Sequence, residues 1–92
     1  MKIWATVKKK QKITGDVVLE IPGERPETIA AWEEILTEVC HDLHLSRPIM
    51  LNKHLAQLVN FARTTFLPAD FIETVTFDRF EIEIFPEKSQ LR

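Results

Sequence analysis

TIAAWEEILTEVCHDL, Thr28 to Leu43, places Ile29, Trp32, Leu36, Val39, Cys40 and Leu43 at i, i+3, i+7, i+10, i+11 and i+14. That spacing gathers the six in one arc of a helical wheel, with Ala30, Glu34, Thr37, Glu38 and His41 opposite. A helix with one apolar stripe needs a surface to lie on, and the flanking chain is read for what supplies it.

Upstream, Lys2 to Lys8 alternates, with Ile3, Ala5 and Val7 pointing one way and Trp4 and Thr6 the other, which is a strand. After the polar Lys9, Lys10 and Gln11, the residues Ile13, Val17, Leu19 and Ile21 resume the alternation. Gly15 and Asp16 interrupt it, so either a bulge sits there or the second strand begins at Asp16. Two strands joined by a short polar link form a hairpin over about 2–21. Pro22-Gly23-Glu24-Arg25-Pro26 then turns the chain into the helix, expected over about 27–44, with Pro48 beyond its end.

Downstream, Leu51, Leu55, Leu58, Val59, Ala62 and Phe66 recur at helical spacing after Asn52, and a second helix is expected over about 52–66, with His54 and Phe61 on one flank. Leu67-Pro68 stops it, and Pro68 to Ile72 reads as an isolated turn whose Phe71 and Ile72 plug the core. In the last element, about 76–85, Phe80, Ile82 and Ile84 face one side and Glu81, Glu83 and Phe85 the other. It is a strand, and 87–92 follows as a loose tail.

The order ββααβ predicts an α+β fold: one domain over 1–92, a three-stranded sheet with two helices packed on one face. The third strand is placed beside the first and parallel to it. A chain of 92 residues with 45% apolar side chains can fill one such core but not two. No apolar run is long enough to span a bilayer, and Met1 to Val7 runs into lysines too soon for a signal peptide core. With a single cysteine, which forms no intrachain disulfide, this suggests a cytoplasmic setting and no membrane partner.

Two helices shelter one side of three strands. Alternation then leaves Trp4, Thr6, Asp16, Val18, Glu20, Glu81, Glu83 and Phe85 on the other side, an apolar centre with a charged rim. Such a face suits protein contact, with a second copy or another protein, and the chain reads as a non-enzymatic interaction module.

Other chemistry is thinner. Lys8, Lys9, Lys10 and Lys12 at the hairpin tip, with Trp4 as a stacking surface, could hold a nucleic-acid strand. A net charge of −2 and the carboxylates on the same face oppose it. Cys40 and His44 lie one helical turn apart and could ligate a metal, but His41 points away, so two ligands at most come from this segment. Cys40 on the packed stripe is an inert core thiol, His54 an edge-of-core histidine, and the Glu81 and Glu83 pair a solvated strand face. With only Gly15 and Gly23 the chain has no glycine-rich phosphate loop, and no cofactor is expected.

Overall fold

A computed structural model of the chain describes residues 1–85; the tail expected at 87–92 lies outside the described residues. Strands β1 (Lys2–Lys9) and β2 (Lys12–Glu20) form the hairpin, helices α1 (Ile29–Asp42) and α2 (Asn52–Phe61) follow, and β3 (Arg63–Phe66), a 3-10 turn at Pro68–Asp70 and β4 (Arg79–Phe85) complete the order. The sheet has four strands in the order β2-β1-β4-β3, each pair antiparallel. The α+β class stands as expected, with one strand more than the three read from sequence.

The extra strand comes from the end of the second predicted helix. Spacing carried that helix to residue 66, but Ala62 turns left-handed at φ 62° and stops it at Phe61. Beyond that residue Arg63 to Phe66 is extended, as its two adjacent β-branched threonines favour. An added strand between the helices and the last strand also reverses the direction of return. The final strand lies beside β1 as predicted, yet runs antiparallel to it rather than parallel. It starts at Arg79, later than the expected 76, with residues 76–78 bending before it.

Asp78 holds the hairpin turn. Lys10 and Gln11 both adopt positive φ, 53° and 67°, the geometry of a two-residue type I′ connection, where asparagine and glycine are the usual occupants. The Lys10 N–H donates to Asp78 Oδ2 at 2.6 Å, and the Asp78 N–H donates to the Lys8 carbonyl at 2.8 Å. A bulge at Thr14 lets Val7 face Gly15 and Lys8 face Ile13, so β2 runs through the Gly15 interruption rather than starting at Asp16.

The helices cover one face. Thr28 caps α1 by accepting the Ala31 N–H, and Trp32, Leu36, Val39 and Cys40 turn inward as the wheel predicts. They share a core with Ile3, Ala5, Val7, Phe80, Ile82 and Ile84 from the sheet and Leu58 from α2. At ~1.5–3 kcal/mol per large side chain removed from water, this layer is the main stabilising term. Arg25 reaches from the loop before α1 to the Leu58 and Val59 carbonyls at 3.3 and 2.8 Å, placing a cation at the negative end of α2. Phe71 packs edge-on against Phe77 inside the core, whereas Ile72, expected to plug it as well, is 84% exposed.

Candidate functional site

The sheet face away from the helices is built by cross-strand register. One row reads Val18, Trp4, Glu83, Arg63 from β2 to β3; the next reads Asp16, Thr6, Glu81, Thr65; a third joins Glu20, Lys2 and Phe85. The residues placed outward by alternation therefore share one surface. Register adds Lys2, Arg63 and Thr65, which sequence reasoning did not assign there. In a stretch taken as helix, only the adjacent Thr64 and Thr65 hinted at a sheet position.

At the centre of this face the Trp4 indole stacks on the Phe85 ring with centroids 6.3 Å apart and planes 27° from parallel. Trp4 Nε1 donates to Asp16 Oδ2 at 3.0 Å, which fixes the indole across the β1–β2 pair. Both rings are half-buried, and Val18, beside Trp4 on β2, is 52% exposed. A depression of about 70 Å³ lies next to the indole, lined by Thr6, Lys8, Arg63, Glu81 and Glu83 among others. Thr6 points to this side but is buried beneath its neighbours.

The charges here are arranged in pairs. Lys8 Nζ lies 3.0 Å from Glu81 Oε1, and Arg79 Nε lies 3.8 Å from Glu81 Oε2. Glu81 is held between two cations and is not a free partner for Glu83 in acid–base work. Lys8 is likewise drawn onto the sheet, so Lys9, Lys10 and Lys12 remain exposed at the tip, beside the Asp78 carboxylate.

No protein-family model, curated protein or solved structure matches the chain. The residues themselves must therefore carry any functional argument.

The Cys40 and His44 pair does not converge. Cys40 is buried in the core, and His44 is exposed past the helix end with φ 59°. Among the described residues no three His, Cys, Asp or Glu side chains are placed to hold a metal ion. Burial pushes the Cys40 thiol up to about 11, with Arg47 opposing the shift. At neutral pH it is therefore protonated and unreactive. Native protein at pH 7.5 is expected to resist a thiol-reactive dye over many minutes and to label fully in urea; rapid labelling of the folded protein would show the thiol to be accessible.

His54 differs from its sequence reading. Taken as lying at the core edge, it is 1% exposed, its ring centroid 4.3 Å from that of Phe66. Phe61, expected on the same flank, is instead 71% exposed at the helix end. His54 Nδ1 accepts the Leu51 N–H at 3.0 Å and closes the first turn of α2. Its Nε2 has no hydrogen-bond partner and faces Asp70 Oδ2 at 3.7 Å. Among the described residues no helix is long and apolar enough to cross a membrane.

Proposed function

We propose that the chain is a non-enzymatic protein-interaction module that docks a partner on the outer sheet face. The observation that carries this reading is the stacked Trp4 and Phe85 pair with exposed Val18 beside it, on the side of the sheet away from the helices. Apolar area framed by charged residues is the pattern of an interface centre with its rim. A second copy is the simplest partner, since two-fold dimers are the commonest assemblies.

Size sets the strength. Four strands at ~4.8 Å and up to seven residues at ~3.4 Å give at most roughly 450 Å² in projection, which even with its larger accessible surface puts the face toward the low end of the ~800 Å² each partner gives to a standard interface. The association is therefore weak and reversible. Sedimentation equilibrium should show a rise toward dimer mass with a dissociation constant on the order of 10–100 µM. Trp4→Ser should stay monomeric throughout. A parent that is still monomeric at about 1 mM would remove the dimer.

A further inference from the structure

The sheet has a second place where another chain can be received, at the edge formed by β3. A groove of about 470 Å³ runs between this edge and α2, with Lys53 and Gln57 on the helix side and Thr64 and Thr65 on the strand side. Phe61 and Leu67, 71% and 50% exposed, also line it.

The backbone here can be followed through the ladder. The Ile84 N–H donates to the Ala62 carbonyl at 2.8 Å, and the register pairs Arg63 with Glu83 and Thr64 with Ile82. In an antiparallel ladder, residues that bond the neighbouring strand alternate with residues whose N–H and C=O point the other way. Thr64 and Phe66 therefore bond β4, and Arg63 and Thr65 turn their N–H and C=O outward. These two donor–acceptor pairs sit about 7 Å apart, the two-residue repeat of an incoming strand.

The side chains select what comes in. Lys53 and Arg63 supply two cations, and no carboxylate of the described residues lines the groove. The opposite edge, β2, lacks these properties: a bulge at Thr14 breaks its run, and Asp16 and Glu20 stand along it.

We infer that the groove beside β3 binds an extended, acidic segment of a partner protein, which adds to the sheet as a fifth strand and rests apolar side chains on Phe61 and Leu67. Main-chain hydrogen bonds to Arg63 and Thr65 supply the geometry, and Lys53 on the helix side and Arg63 on the outer side favour carboxylates on both faces of the incoming strand.

The test is an NMR titration with a capped peptide of about eight residues in which paired glutamates alternate with paired valines, so that each face of the strand carries both, set against the same peptide with lysine for glutamate. The acidic peptide should shift the Arg63 and Thr65 amide signals and slow their hydrogen exchange about tenfold or more, and the lysine peptide should do neither. Thr65→Pro removes one outward N–H and no ladder bond, and should abolish the response. Lys53→Glu combined with Arg63→Glu, both at the surface, should weaken binding at least about tenfold, and this pair serves if the proline variant does not fold. Val18→Ser, on the outer face at the far strand β2 and away from Arg63, should leave the titration unchanged, which separates this groove from the outer-face contact. No shift at these amides with about 1 mM acidic peptide, equal binding of the lysine peptide, or loss of binding in Val18→Ser would overturn the inference.

Discussion

Replacing Trp32 with alanine is expected to destabilise the fold by about 3–5 kcal/mol, the range for deleting a large buried aromatic. The side chain is fully buried on the inward stripe of α1, and its Nε1 donates to the Pro26 carbonyl at 2.9 Å. Alanine would leave a cavity between helix and sheet and free the carbonyl that fixes the loop entering α1. A domain of 92 residues has a total stability of roughly 5–14 kcal/mol, so this one change removes a large part of it. In urea the midpoint should fall by roughly 2–3 M at an m-value near ~1.5 kcal/mol/M. Trp32→Phe keeps most of the volume and loses the hydrogen bond, so it should cost about 1–2 kcal/mol. Similar losses for both variants would show that the bond to Pro26, rather than packing, dominates at this position.

The second large effect is expected at His54 and depends on pH. Burial holds its imidazole below its ordinary value near 6.5, against the pull of the Asp70 carboxylate and with a smaller push from Lys53. Proton uptake would also end the bond in which Nδ1 accepts the Leu51 N–H. The sign follows from proton counting. Above about pH 6.5 both folded and unfolded chains hold a neutral His54, and stability is full. Below it the unfolded chain takes a proton that the folded chain refuses, so stability falls by up to ~1.4 kcal/mol per pH unit until the folded imidazole titrates.

Urea midpoints measured from pH 8 down to pH 5 should therefore decline below neutrality, and the decline should be shallower in His54→Gln, which keeps an acceptor for Leu51 without a titrating ring. His54→Ala should in addition cost about 2–4 kcal/mol at pH 8, since a buried ring packed on Phe66 is lost. An equal slope in parent and His54→Gln would place the titration elsewhere.

Periodicity made most of the fold legible. The stripe from Trp32 to Cys40, the alternation of β1 and that of Phe80, Ile82 and Ile84 each reach the core as read, while Val17 and Leu19 on β2 and Ile21 just past its end only pack half-buried against it and Ile13 is exposed. The reading failed between Leu58 and Phe66, where Ala62 and Phe66 continue a helical i+4 spacing although the chain has already left the helix. An apolar residue four places on satisfies both readings; only the Thr64-Thr65 pair hinted at extension. That one miss removed a strand, reversed the expected direction of β4 and concealed Arg63, Thr65 and the groove beside them. The outer face was readable because a period of two is insensitive to strand order. The burial of His54 was not, because a wheel gives direction without depth.

The bond from Lys10 to Asp78 joins positions 68 apart in the chain. Its consequence concerns the timing of folding. The hairpin turn places two ordinary side chains in left-handed geometry, so the hairpin is poorly able to close alone, and β1 is flanked on its other side by β4. The hairpin turn is therefore expected to close fully only when residues 78–85 are in place beside it.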